Sequence, residues 1–235
     1  LWYNKPIRAV DLALEEPEGV WLDRWTPEGV VETVKSAHAN LLDMMIVNEW
    51  GQAYFNSDYL PKHPKLGDRD LLREVLDAAG ETGIRVTGMW GPSPNPALYR
   101  EHPDWARRDA MGGIFHTEHP ELDSWTHLCH NSPSGNVVVD ALDDLFTKYE
   151  IAGVAFDFFI VDPCFCEHCR KGYLSDTGVD LNDRDEWGKA DQRSFARWTD
   201  RTVDAWMGRV RATVERHGRV LIAFAYGPTR SRGWS

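Results

Sequence analysis

Apolar positions in this chain fall into two alternating rhythms, short runs of strand length and longer stretches with one apolar face. Ile7 to Leu14 alternates loosely and predicts a first strand that ends at Glu15-Glu16. Thr26-Pro27-Glu28 has the form of an N-cap followed by proline at the first helical position, opening a helix to about Ala39. Met44-Met45-Ile46-Val47 reads as the second strand, with Asn48-Glu49-Trp50-Gly51 at its end. After a loop through Pro61 and Pro64, Leu71, Leu72, Val75, Leu76 and Ala79 mark one face of a helix closed by Gly83. Ile84 to Trp90 is the third strand, stopped by Gly91-Pro92-Ser93-Pro94.

The stretch from 91 to 131 is long and rich in Pro, Gly and His. It predicts a loop of functional length with at most a short helix near Pro103 to Arg108. Ser132-Pro133 opens a helix with Val138, Leu142, Leu145 and Tyr149 on one face. Val154-Ala155-Phe156 and Phe158-Phe159-Ile160 then flank Asp157 in a run too apolar for a half-solvated strand. A short helix starts among the cysteines that follow. A polar insertion from Asp176 to Asp191 precedes a longer helix carrying Phe195, Trp198, Thr202, Trp206, Val210 and Val214. Arg219 to Ala225 is the fifth strand, shortly before Tyr226-Gly227-Pro228.

Five strands alternating with helices predict an α/β fold with a parallel sheet and right-handed crossovers. A closed (β/α)8 barrel needs about 250 residues and three more strands. The expectation is therefore a single barrel domain over 1–235, present as its N-terminal five β/α units and cut short on the C-terminal side. No internal repeat, linker or second domain is visible.

Asp157 is the residue on which the functional reading turns. An ionised carboxylate in a doubly buried strand is expensive unless it sits at the strand's end, facing a polar site. The C-terminal ends of barrel strands are where (β/α)8 enzymes keep their chemistry. Just beyond it, Cys164, Cys166 and Cys169 join the earlier Cys129 in the spacing C-x34-C-x-C-x2-C. The C-x-x-C pair makes a tight knuckle, and the other two cysteines complete a tetrahedral thiolate set suited to a structural zinc. Four reduced thiols without metal are the alternative, and disulfides within so short a loop are disfavoured by their geometry. A closed four-cysteine site would pin the loop after Asp157 to the segment around Cys129, and would not activate water.

Bulk properties narrow the class. The net charge of −11 over 235 residues argues against nonspecific nucleic-acid or anionic-membrane partners, both of which want a basic face. No apolar run reaches transmembrane length, and a thiolate site favours a reducing, cytoplasmic setting. Eleven tryptophans are a high count, and Trp50, Trp90, Trp105 and Trp125 fall in or beside expected loops, where aromatic faces can stack on sugar rings. No G-x-S-x-G elbow or phosphate-cradling glycine loop is present, so serine hydrolase and nucleotide chemistry are excluded and no organic cofactor is expected.

Several motifs together are similar to a known family. Gly51-Gln52-Ala53-Tyr54-Phe55, His63-Pro64, the run from His102 to Asp109, Cys129-His130-Asn131-Ser132-Pro133 and Gly153-Val154-Ala155-Phe156-Asp157 resemble the hypothetical glycosyl hydrolase 6 family over most of positions 7–170. The segment from Cys164 to about Trp187 also resembles family 42 β-galactosidases, whose four-cysteine zinc site has the same C-x-C-x-x-C spacing and an earlier lone cysteine. The resemblance implies a (β/α)8 glycoside-hydrolase fold with its active site at the C-terminal face. Family 42 carries an Asn-Glu pair at the end of strand four, where this chain has Phe156-Asp157. A strand-four aspartate instead resembles the nucleophile placement of several α-retaining families.

Glycoside hydrolysis needs two carboxyl groups, one to donate a proton and one to act as nucleophile or base. Asp157 is the first candidate and Glu49, at the end of the second strand, the other. Asn48, Trp50, Trp90, His130 and Asn131 are expected to bind substrate. Asp11 faces the barrel mouth in a structural role, Asp162 caps a loop before Pro163, and His116-Thr117-Glu118-His119 is expected to be a solvated loop. The leading expectation is a glycosidase acting on a carbohydrate, with homo-oligomerisation open. Its rivals are a carbohydrate-binding or scaffold barrel without hydrolysis, and a metal-dependent hydrolase using His116, His119 and His130.

Overall fold

The structure, a computed structural model, describes residues 2–14, 18–23, 25–119, 122–157 and 162–224. Five strands build one parallel sheet: β1 (Ala9–Leu12), β2 (Leu41–Val47), β3 (Arg85–Trp90), β6 (Gly153–Phe156) and β7 (Val220–Ala223), side by side in that order. Strands β4 (His116–His119) and β5 (Leu122–Thr126) form a separate antiparallel hairpin within the connection from β3 to β6. Neighbours in sequence being neighbours in the sheet is the order of a barrel wall. The expected α/β class and parallel sheet are both present.

The helices start where side chains satisfy their first N–H groups. In α1 (Pro27–Ser36), Thr26 Oγ1 accepts from Gly29 N at 3.1 Å, with Pro27 at N1. In α2 (Leu71–Ala79), Asp70 accepts from Arg73 N at 3.1 Å; Leu71, Leu72, Val75 and Ala79 of the predicted face are buried and Leu76 partly so, and the helix ends at Gly80 rather than at the expected Gly83. Helix α4 (Ser134–Lys148) packs on α6 (Lys189–Arg216), and the Trp206 indole donates to Gly135 O at 2.9 Å. The main core joins these helices to the apolar strands, with every residue of β2 and β6 buried.

Three further expectations are corrected. Strand β2 begins at Leu41 rather than Met44, which brings Asp43 into it. The 91–131 connection is more structured than a loop: it holds the short helix α3 (Pro96–Glu101), capped by Asn95, and then the hairpin. Residues His116–His119 form a paired strand, because a hairpin ladder satisfies their backbone without needing an apolar face. The cysteine-rich helix, α5 (Glu167–Thr177), starts at the expected place. Expectations for Glu15, Glu16, Phe158, Phe159, Ile160 and the strand-five end from Ala225 to Pro228 lie outside the described residues.

Candidate functional site

The C-terminal edge of the sheet is where the first candidate stands. Asp157 directly follows the fully buried strand Gly153–Phe156, and its N–H donates to Trp90 O at 3.0 Å, holding it against the end of β3. Its side chain is half-buried, the first break in burial after that strand. Its negative charge is felt by two other carboxyl groups. Asp11 is raised above its ordinary value by partial burial and by Asp157. Asp43 is pushed up to about 6, chiefly by burial, with the charges of Asp11 and Asp157 adding to it.

Asp43 was not among the residues expected at the site. It stands opposite Asp11 on β1 and Thr87 on β3, and accepts from Thr87 Oγ1 at 2.6 Å. The signal was present in Leu41-Leu42-Asp43-Met44-Met45-Ile46-Val47, a charged residue inside an apolar run. Asp11, expected to be structural, belongs to the same electrostatic group as Asp157.

Asn48, Glu49 and Trp50 lie at the same edge, just past the end of β2. Asn48 builds the turn there: its Oδ1 accepts from Trp50 N at 3.2 Å and Gln52 N at 2.9 Å, while its Nδ2 donates to Gln52 Oε1 at 3.0 Å. Glu49 is 1% exposed, a buried carboxyl group rather than a surface loop glutamate. Trp50 is buried with its ring edge-on to Trp125 at 5.8 Å, and Trp90 is buried with its ring edge-on to Phe156 at 6.1 Å. Both rings therefore serve packing as the structure stands.

The four cysteines converge. Their sulfur atoms all lie within 4.8 Å of one another, every one is buried, and none is in a disulfide. Cys129 and Cys169 sulfurs are 3.4 Å apart. Four thiolates at the usual Zn–S length of about 2.3 Å would be about 3.8 Å apart at the corners of a tetrahedron. The observed set fits such a metal, and hydrogen bonding with Cys129 already holds Cys164 far below the ordinary thiol range. Among the described residues, no other group of three or more His, Cys, Asp or Glu side chains is arranged to hold an ion. This leaves the metal-hydrolase expectation without support at His116, which meets Thr126 Oγ1 at 3.1 Å; the side chain of His119 lies outside the described ones.

Backbone links join this cluster to the loop leaving Asp157. Phe165 N donates to Arg108 O at 2.9 Å, Arg108 N to Cys164 Sγ at 3.4 Å, and Cys129 N to Trp105 O at 2.9 Å. The buried guanidinium of Arg107 donates to Asp162 O. His130 and Asn131 lie beside the cysteines and α6: Asn131 Nδ2 donates to Cys169 Sγ at 3.3 Å and to Thr202 Oγ1 at 3.2 Å, and a His130 ring nitrogen is 3.4 Å from the same hydroxyl. Burial, then the charge of Arg107, push His130 down to about 4 and the neighbouring His127 to about 3, keeping both neutral.

The site so described sits on a parallel α/β sheet with a carboxylate at the C-terminal end of its fourth strand. The family model for hypothetical glycosyl hydrolase 6 matches residues 27–158, more than half of the chain, and the chain belongs to that family. The match is narrower than the 7–170 expected from the motifs, and it ends just past Asp157. Comparison with curated proteins finds no match. Among solved structures, α-L-fucosidase isoenzyme 2 from Paenibacillus thiaminolyticus superposes with a TM-score of 0.80 and 23% identity, over 94% of this chain and 33% of its own. The PgaB (BpsB) glycoside hydrolase domain from Bordetella bronchiseptica gives 0.59 at 15% identity, over 93% of this chain and 65% of that domain. A β-galactosidase from the psychrophilic Marinomonas ef1 gives 0.58 at 14% identity, over 92% and 36%. These likenesses establish the fold, and the chain spans about a third of the fucosidase's length. No described helix is long and apolar enough to cross a membrane.

Proposed function

We propose that this chain forms the first five β/α units of a (β/α)8 glycosidase and that Asp157 acts at the anomeric carbon of a carbohydrate substrate. The observation that carries the reading is the position of Asp157, a half-exposed carboxylate at the C-terminal edge of a parallel sheet, directly after a strand buried throughout. As nucleophile its oxygen would bond to the anomeric carbon while the glycosidic C–O bond breaks. The leaving oxygen takes a proton from a second carboxylic acid, and water then releases the sugar.

Glu49 is the proposed partner. It lies at the same edge, with β3 between its strand and that of Asp157, so two strand spacings of about 4.8 Å set their backbones about 10 Å apart. Side chains reaching across that gap can close to the separations that retaining or inverting hydrolysis requires. The charge of Asp157 would favour keeping Asp11 and Asp43 protonated. Asn48 shapes the turn that carries Glu49, and Trp50 and Trp90 back that edge of the site. Cys129, Cys164, Cys166 and Cys169 would hold a structural zinc, which ties the loop after Asp157 to the β3–β6 connection, with His130 and Asn131 supporting it.

The test is hydrolysis of a panel of aryl α- and β-glycosides by the complete gene product and by Asp157→Asn. Turnover by the parent, abolished in a variant with the same thermal unfolding, is the expected result. Turnover that survives the substitution would put the chemistry elsewhere. Carbohydrate binding without turnover by either protein would favour a non-catalytic carbohydrate-binding barrel.

A further inference from the structure

A cleft of about 580 Å³ opens beside Asp162 and Pro163. Its walls come from three places: the tip of the β3–β6 connection at Met111 and Phe115, the cysteine loop at Phe165, and the start of α6 with Trp187 just before it. Phe195 forms its back and Gln192 stands at its rim. Asp162, five residues beyond Asp157, also lines it, so the cleft shares a loop with the proposed reacting centre. The volume lies within the range of small-molecule sites.

The chemistry of the walls separates two kinds of occupant. Phe165 and Phe195 lie 5.0 Å apart, and Trp187 meets Phe195 edge-on at 5.8 Å, so the aromatic surface is assembled before anything binds. Several of the charged neighbours already have partners within the protein. Arg108 Nη1 donates to Gly112 O at 3.1 Å, Asp109 Oδ1 accepts from Met111 N and Gly113 N at 2.8 Å each, and Arg107 holds Asp162 O. A sugar ring brings several hydroxyl groups that each need a partner, and burying them unpaired is unfavourable. An aromatic or alkyl group needs none and gains from the area it buries. Met111, 91% exposed at the mouth, is a flexible apolar side chain of the kind that adapts to such a group.

We propose that this cleft receives the leaving group of the substrate, an apolar or aromatic aglycone, and so selects aryl or alkyl glycosides over oligosaccharides. The proposal rests on the glycosidase reading. It also adds to the role of the four-cysteine cluster, which fixes Phe165, between Cys164 and Cys166, as one wall of the cleft.

The experiment is calorimetric titration of the complete protein with 4-nitrophenol, together with kinetics on matched 4-nitrophenyl and methyl glycosides. Gln192→Trp, at an exposed position on α6, fills the rim, and Met111→Asp puts a charge at the mouth; neither residue is part of the core. The parent binds 4-nitrophenol, and each variant weakens that binding at least about tenfold. The kcat/KM preference for the aryl over the methyl glycoside falls in parallel. No binding by an active parent, or binding indifferent to both substitutions, overturns the proposal while leaving the glycosidase reading intact. Binding that the variants abolish, from a parent that hydrolyses no glycoside, shows an aryl-binding cleft but overturns both its assignment to a leaving group and the glycosidase reading.

Discussion

Asp43 shows how one side chain passed over in the sequence can become informative in three dimensions. An aspartate before Met44-Met45-Ile46-Val47 looks like the polar edge of a strand, because burying an ionised carboxylate is costly. In the structure it lies inside β2, 5% exposed, relieved by the Thr87 hydroxyl and by a proton affinity raised to about 6. That shift has a thermodynamic sign. The folded chain keeps the Asp43 proton up to about pH 6, whereas the unfolded chain releases it near 3.8. Between those values the folded state binds more protons, so this carboxyl lowers stability as pH rises and its full cost is present above pH 6. The shift corresponds to at most about 3 kcal/mol. Asp43→Asn, which still accepts from Thr87, is expected to be more stable than the parent at pH 7, with the difference fading by about pH 4. Chemical denaturation of both proteins at the two pH values checks this, and a gap of equal size at both would remove Asp43 from the account. The position of Asp157 directly after a buried strand was legible, since an ionised carboxylate within so apolar a run is costly unless it reaches a polar edge.

Elements were legible where one physical rule dominated. The Thr26-Pro27 start of α1, the apolar face of α2 and the buried run of β6 each follow from capping or periodicity, and the structure has them. Helix α3 was missed although Asn95-Pro96 repeats the cap-then-proline signal of α1, because it lies in a stretch crowded with Pro and Gly. The hairpin gave no warning: His116-Thr117-Glu118-His119 has no apolar alternation, and its register depends on its partner strand. Two predictions belong at this scale. A Cβ at Gly153 would collide with Val220 O, so Gly153→Ala must push β7 away from β6. A loss of about 1–3 kcal/mol in urea unfolding is expected, and an unchanged midpoint would show that the β6–β7 pairing yields easily. Metal analysis of the purified protein should find about one zinc per chain, and Cys166→Ser should lose it with a fall in melting temperature on the order of 10 °C. A metal-free protein that melts at the same temperature as the parent would overturn the zinc assignment.

At the scale of the molecule, sheet order, family membership and the place of Asp157 agree: a parallel sheet whose C-terminal edge carries Asp157 and Glu49, with Asp11 and Asp43 inside the strands. The α/β class and the five strands of the parallel sheet could be read from alternation, whereas the two hairpin strands could not. The convergence of Asp11, Asp43 and Asp157 could not, because it depends on sheet register, which local pattern does not encode. The convergence of the cysteines was readable because their spacing matches what a tetrahedral metal requires. The central claim is that Asp157 meets the reacting carbon, and chemical rescue tests it most directly. The measurement is the rate of aryl glycoside cleavage by Asp157→Gly in the complete protein, with and without sodium azide. A fall of at least about 10³-fold, partly restored by azide with formation of a glycosyl azide, is the predicted result. Cleavage within about tenfold of the parent without azide would contradict it, since no carboxylate at the reacting centre is so dispensable.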